Sequence, residues 1–340
     1  MKFKNVFLGI FASALLFTSC SNDDTIDTNV PLGAYDNGVL VLNEGNFGTP
    51  NASVSYISTD FTAVNNIFGI ENSDKKLGDV AQSISFSDDK AFIVLNNSNV
   101  IEVVNRYTFK SIATISGNLK FPRYSAVLNG KLYVTNNKTL TVFDAKTFEY
   151  VQTIAIGKTT EKIIAANGKL YVTNGAYGSG STVTVINPQS NNAMSTITVE
   201  NGVNSIEVKN GFVYVLCGNT TKSKLFKIDT KTDTATSIES TTLTKALNMD
   251  IDGEKIYYTK GTGVYTMALN ATTFSETPLF SVTDNSFSTF YGFSVIDGKI
   301  YSADANGFTG DGIVKIYSAT GTELKTVSVG RGPNSFYSNN

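Results

Sequence analysis

The octapeptide NGKLYVTN occurs at residues 129–136 and again at 167–174. Asn-Gly tolerates the positive φ angles of a two-residue type I′ hairpin turn, and Leu-Tyr-Val-Thr favours the pleated, half-buried backbone of a strand. A turn followed by a strand is therefore being repeated. Looser copies follow the same pattern: NGFVYV from Asn210, DGEKIYY from Asp252, DGKIYS from Asp297, and the weaker DDKAFIV from Asp88 and NGVLVLN from Asn37. Their starts lie 51, 41, 38, 43, 42 and 45 residues apart. That period fits one four-stranded blade of a β-propeller.

The rest of each unit agrees. After the hairpin strand and a loop comes a second pair, as in LTVFDAKTFEYVQTIAIG from Leu140, VTVINPQSNNAMSTITVENG from Val183, KLFKIDTKTDTATSIES from Lys224 and IVKIYSATGTELKTVSVG from Ile313. In each, a strand of period two meets a turn rich in Asp, Asn, Thr and Gly, then another strand. The expected fold is all-β, a seven-bladed propeller with four antiparallel strands per blade, A to D. The chain ends predict how the ring closes. In FPRYSAVLNG a proline stands seven residues before the turn residue Asn129, and in the final GPNSFYSNN Pro333 stands seven before Asn340. The C-terminal segment therefore reads as strand A of the blade whose other three strands lie in residues 38–70. Pairing the N- and C-terminal segments in one blade would remove an exposed sheet edge.

Residues 36–340 are filled by the seven units and read as one domain. Ahead of them, Lys2 and Lys4 precede an apolar run from Val6 to Phe17, too short to cross a bilayer comfortably but suited to a secretory leader. The run ends in LFTSC and resembles a bacterial lipoprotein signal, with Phe17 where Leu is usual; residues 1–19 would be removed and Cys20 lipidated. Residues 20–35 are polar and aperiodic, and read as a flexible tether. Within them, Asp23-Asp24 resembles the acidic signal that sends some lipoproteins to the outer surface of certain Gram-negative bacteria. The implied address is the outer membrane, lipid-anchored and facing the cell exterior. If Cys20 carries lipid, Cys217 has no disulfide partner and reads as a small buried hydrophobe.

Composition narrows the function classes. Charged residues make up 16% and the net charge is -2, which gives no basic footprint for nucleic acid. The absence of Trp argues against WD40 repeats. The absence of His excludes Ser-His-Asp chemistry, histidine general bases and histidine-ligated zinc or copper. The nearest approach to a metal loop is DANGFTGDG, with Asp304, Asn306 and Asp311. It departs from the EF-hand pattern because Phe308 holds the fifth position and Lys315 the twelfth, and reads instead as a loop held by its own Asx turns. No catalytic residue, metal ligand or cofactor is expected.

Because successive strands of a blade are antiparallel, the short A–B and C–D turns emerge at one end of the ring and the B–C and D–A connections at the other. The second end carries the irregular loops NEGNFGTPNAS from Asn43, NGAYGSGS from Asn174, TDNSFSTFYG from Thr283 and ADANGFTGDG from Ala303. Long loops on a rigid scaffold are where binding residues concentrate. The candidate contacts there are Asn43, Glu44, Asn46, Phe47, Arg123, Tyr124, Asn136, Asn174, Tyr177, Phe290, Tyr291, Asp304, Phe308 and Arg331. Flat aromatic faces and adaptable amides suit a sizeable organic ligand better than a point-like ion. Structural roles compete: Asn43, Asn136 and Asn174 hold equivalent places after strand B and could tie loop backbone, and Phe290 and Tyr291 could wedge between blades.

The opening GVLVLNEGNFGTPNASVSYI, the repeated NGKLYVTN and LTVFDAKTFEY resemble the YncE-like seven-bladed propeller lipoproteins, over residues 36–340. Within that group the leader and LNEGNFG are similar to the BtuG type. That resemblance implies a non-catalytic surface protein capturing a corrinoid such as vitamin B12 for a TonB-dependent outer-membrane transporter. Lacking His, the chain would hold a corrinoid by its amides and ring face. Two other readings stay open: a surface scaffold binding a protein or polysaccharide, and a lactonase- or lyase-like propeller enzyme with a metal held by carboxylates.

Overall fold

Asn129 and Gly130 both take positive φ, 50° and 71°, with Leu128 and Lys131 paired across them. Asn167-Gly168, Asn210-Gly211 and Asp297-Gly298 repeat this type I′ geometry. The sixth hairpin differs. Asp252 there pairs with Lys255, so the turn is Gly253-Glu254 and only Gly253 needs positive φ. These hairpins belong to a computed structural model that describes residues 32–190, 192–283 and 286–340. The described chain forms seven four-stranded antiparallel sheets, a seven-bladed propeller.

Ala81–Ser87, Pro122–Leu128, Thr160–Ala166, Val203–Lys209, Leu247–Asp252 and Gly292–Ile296 are the first strands of six blades, and Pro333–Asn339 completes their ring. This last strand pairs with Gly38–Asn43 of the remaining blade, whose outer strands are Ser53–Ile57 and Ala63–Val64. The join is a hairpin without the covalent turn: the Asn37 N–H donates to the Asn339 carbonyl at 2.9 Å. Asn339, fully buried, locks the position with its side chain. Its Nδ2 donates to the carbonyls of Tyr35 at 2.6 Å and Arg106 at 2.9 Å, and its Oδ1 accepts from Arg106 Nε at 2.8 Å. Tyr35 is itself buried against Tyr56 and Phe109.

Each blade interface holds its own apolar cluster, and strand Gly38–Asn43 shows how one sequence serves two of them. Val39 and Val41 pack with Tyr301, Val314 and Phe336 on one side, while Leu40 and Leu42 pack with Ile84, Ile93 and Leu95 on the other. A strand covered on both faces reads as a continuous apolar run, and VLVL does. On the opposite rim, the DxxT phrases are Asx turns. Asp144 Oδ1 accepts from the Lys146 and Thr147 amides at 3.0 Å each, and Asp229 Oδ1 from those of Lys231 and Thr232 at 2.7 and 3.2 Å.

The closing strand contributes to the core, so Phe336→Ala is expected to lower the free energy of unfolding by about 3 kcal/mol in urea titration. Leu324→Ala, on an exposed outer strand, is expected to change it by about 0.5 kcal/mol or less. Equal effects would show that the C-terminal strand is not part of the cooperative unit.

Candidate functional site

The first strand of a blade enters the ring at the loop-rich rim, and there its pairing register slips. Shifts occur between Ala81 and Ser83, Pro122 and Ser125, Thr160 and Ile163, Val203 and Ser205, and Leu247 and Asp250, and opposite Asn334 in the closing strand. A bulge leaves a residue out of the ladder and re-aims its side chain. The residues freed in this way are Gln82, Arg123, Tyr124, Glu161, Lys162, Asn204, Asn248, Met249 and Asn334; Met249 is buried in an apolar cluster, and the others line a cavity of about 490 Å³ at the mouth of the channel. The size is within the range of small-molecule sites.

Charge in the mouth is held in place. Arg123 Nε donates to both Glu161 oxygens at 3.1 Å, its Nη2 to Oε1 at 2.5 Å, and its Nη1 to Gln82 Oε1 at 2.7 Å. The two charged side chains are only 17% and 11% exposed. Gln82 Nε2 then donates to the Tyr124 hydroxyl at 3.2 Å, which carries the network from blade to blade. Across the mouth, the Tyr291 hydroxyl donates to Glu44 Oε2 at 2.5 Å. Burial raises the Glu44 carboxyl above its ordinary range, against the hydrogen bonds of Tyr291 and Asn334 and the charge of Arg123. The Tyr291 phenol is raised in turn, first by burial and then by the Glu44 charge. Asn334 donates to the Ala81 carbonyl at 2.9 Å, while its buried Oδ1 has no partner among the described residues.

Of the candidates from sequence, Glu44, Phe47, Arg123, Tyr124 and Tyr291 converge on this cavity. Phe47 stands at its edge, 76% exposed. Asn46, Phe308 and Arg331 form a brace beside it: Asn46 Nδ2 donates to the Phe308 carbonyl at 3.3 Å, and Arg331 donates to Asn46 Oδ1 at 2.8 Å and the Gly310 carbonyl at 3.2 Å. Phe308 in turn meets Tyr291 edge to face, centroids 5.0 Å apart.

The remaining candidates do other things. The Asn43 amide lies 2.9 Å from Ser55 Oγ and 3.2 Å from Ser53 Oγ. Asn136 donates to the Asn118 carbonyl and to Thr141 Oγ1, both at 2.9 Å, and Asn174 Oδ1 accepts from Thr182 and Thr184 at 2.9 Å each. All three asparagines end a strand and bond hydroxyls of the strand beside it, and Asn136 also holds a loop carbonyl. Phe290 is buried between Tyr257 and Val264 of one blade and Val295 and Tyr317 of the next. Asp304 accepts from Ser288 Oγ at 2.5 Å and the Asn306 amide at 2.8 Å, an Asx turn. Tyr177 lies in the short turn Ala176–Gly178, and its side chain is outside the described residues. The leader and Cys20 are outside them too. Cys217 is buried, and burial pushes its thiol up to about 12, which makes it a packing residue. Among the described residues no helix is long and apolar enough to cross a membrane.

Sequence reasoning missed Gln82, Glu161, Lys162, Asn204, Asn248 and Asn334. A signal was present. Gln82, Arg123, Glu161, Asn204, Tyr291 and Asn334 each stand six residues before the first turn position, at 88, 129, 167, 210, 297 and 340.

The family model described as domain of unknown function DUF5074 matches residues 37–330, all of the propeller but the closing strand Pro333–Asn339. The chain belongs to the DUF5074 family. No curated protein matches it. Among solved structures, this DUF5074 propeller is similar to a quinonprotein alcohol dehydrogenase-like protein of Bacteroides thetaiotaomicron, with a TM-score of 0.73 and 16% identity over 90% of this chain and 79% of that one. A functionally unknown protein of Desulfotomaculum acetoxidans gives 0.65 and 11% over 89% and 98%. Hydrazine synthase of Kuenenia stuttgartiensis gives 0.60 and 15% over 75% and 88%. At such identities the likeness is one of fold.

The Arg123–Glu161 pair carries a prediction for this DUF5074 mouth. Removing one partner leaves a buried charge unmatched, so Arg123→Met should cost about 3 kcal/mol in chemical denaturation. Combining it with Glu161→Gln should restore part of that loss. A double variant showing the plain sum of both single losses would mean that the pair is not coupled.

Proposed function

We propose that this DUF5074 propeller is a binding protein that holds a sizeable organic ligand, rich in amide or hydroxyl groups and flat on one face, across the channel mouth without transforming it. One observation carries the reading. Arg123 is already matched inside the protein by Glu161 and Glu44 by the Tyr291 hydroxyl, while the Asn334 Oδ1 acceptor, the Lys162 ammonium and an exposed ring remain for a guest. Such a surface offers orientation and contact area. Asn204 spends both amide protons on the Gly202 and Ala246 carbonyls, and Asn248 on Thr259 Oγ1 and the Phe290 carbonyl, so the amide atom open to a ligand donor is Asn334 Oδ1, while Phe47 supplies a flat apolar surface.

A corrinoid is the ligand to try first. The resemblance of the leader and LNEGNFG to the BtuG type supports it, and a macrocycle bearing amide arms suits this lining. A macrocycle is wider than the cavity, so it would lie over the mouth with its arms entering and its ring against Phe47. Lipid anchoring at Cys20 on the outer membrane and delivery to a TonB-dependent transporter belong to the same proposal.

Calorimetric titration with cyanocobalamin and with cobinamide is expected to give saturable 1:1 binding. Phe47→Ala should weaken it about tenfold with an unchanged melting temperature. No heat with either ligand at micromolar protein would overturn the corrinoid assignment, and undiminished binding by Phe47→Ala would move the site away from the mouth.

A further inference from the structure

Next to the mouth lies a second, smaller chamber of about 260 Å³. Tyr124, Lys162, Asn248, Asn334 and Ser335 line both spaces, so the chamber opens into the mouth. At a share of about 30 Å³ per liquid water, it has room for roughly eight waters or a compact molecule of similar size.

Its charged groups differ from the pair in the mouth. Arg123 and Glu161 are closed on each other, whereas Lys162 and Glu207 line the chamber from neighbouring blades and neither side chain makes a direct hydrogen bond or ion pair with any described residue. Asp250, on the next blade, is fixed: its Oδ1 accepts from the Ile251 amide at 2.7 Å and its Oδ2 from the Val295 amide at 2.7 Å. Enclosing an ammonium and a carboxylate without joining them forgoes the Coulomb gain that offsets their desolvation. A guest carrying both complementary groups would restore it.

We propose that this chamber is a separate binding site for a small primary-ammonium compound with an oxygen acceptor a few bonds away, the ammonium set between Glu207 and Asp250 and the acceptor on Lys162. α-Amino acids and 1,2-amino alcohols share this chemistry. The site stands independently of what occupies the mouth. Asp250 and, once it gives up its proton, Glu207 draw the incoming ammonium, while the Lys162 ammonium draws the acceptor end. The titratable groups facing Glu207 are Asp250, Lys162, Tyr124 and Tyr337. Burial pushes the Glu207 carboxyl up to about 8, with the Asp250 charge adding to the rise and Lys162 opposing it. Burial lowers the Lys162 ammonium in turn. Below that pH Glu207 holds a proton in the empty chamber, so seating an ammonium against its carboxylate releases that proton, and binding strengthens as pH rises from 6 to 8.

The test is calorimetric titration of the whole propeller with serine and with 2-aminoethanol at pH 8, with N-acetylserine as control. At least one amine is expected to bind saturably; serine alone would assign the acceptor as carboxylate, and 2-aminoethanol as hydroxyl. N-acetylserine should not bind, and Glu207→Gln should weaken the amine about tenfold or more. No saturable binding by either amine would overturn the proposal, as would N-acetylserine binding equally well, an outcome read on the unaltered protein. Undiminished affinity in a folded Glu207→Gln variant would do the same. Corrinoid titration of the mouth is a separate readout, so the two readings fail independently.

Discussion

Closure of the ring by backbone hydrogen bonds between Gly38–Asn43 and Pro333–Asn339 is the constraint on which the other features of this propeller depend. In the other six blades the first and second strands are joined through a covalent turn; here the Asn37-to-Asn339 bond and the buried Asn339 side chain take its place. Without that join, Val39, Val41 and Phe336 would lose their cover and two sheet edges would lie open. The apolar clusters between blades make each blade depend on both neighbours, so a break at one interface weakens the whole circle.

The same geometry creates the mouth. Seven first strands converge on one axis, and at the loop-rich end nearly all of them carry a bulge. The bulges turn side chains inward that a regular ladder would have placed between blades. Polar residues can occupy these positions because they face a cavity, while the flanking strand residues remain apolar in the blade interfaces. A rigid scaffold thus displays amides and matched charges with little left to order on binding, which lowers the entropic cost of holding a ligand.

Much of this was readable in the residues. The seven hairpins, the four-stranded units and the closing strand follow from turn chemistry and period, because Asn-Gly and alternating apolar residues act locally. The loop face was readable for the same reason. Which of its residues reach the axis was not, since that depends on bulges, and a bulge is a property of two paired strands. Glu44, Phe47, Arg123, Tyr124 and Tyr291 were anticipated, yet Asn43, Asn136 and Asn174, chosen for the same loop position, turned out to bind hydroxyls and loop carbonyls. Glu161 and Lys162 were passed over because a charged pair beside a strand start looks solvated until seven strands enclose it.

The channel therefore combines a mouth where Arg123 is closed on Glu161 and Glu44 on Tyr291 with a second chamber where Lys162 and Glu207 stand apart, and both rest on the ring remaining shut. Native-state hydrogen exchange of the amides in Gly38–Asn43 and Pro333–Asn339 measures this most directly. If the terminal strand closes the ring, the hydrogen-bonded amides of both segments exchange only with global unfolding, at the same free energy as the central strands of the other blades. Exchange at the rate of a frayed terminus, while those blades stay protected, would contradict it.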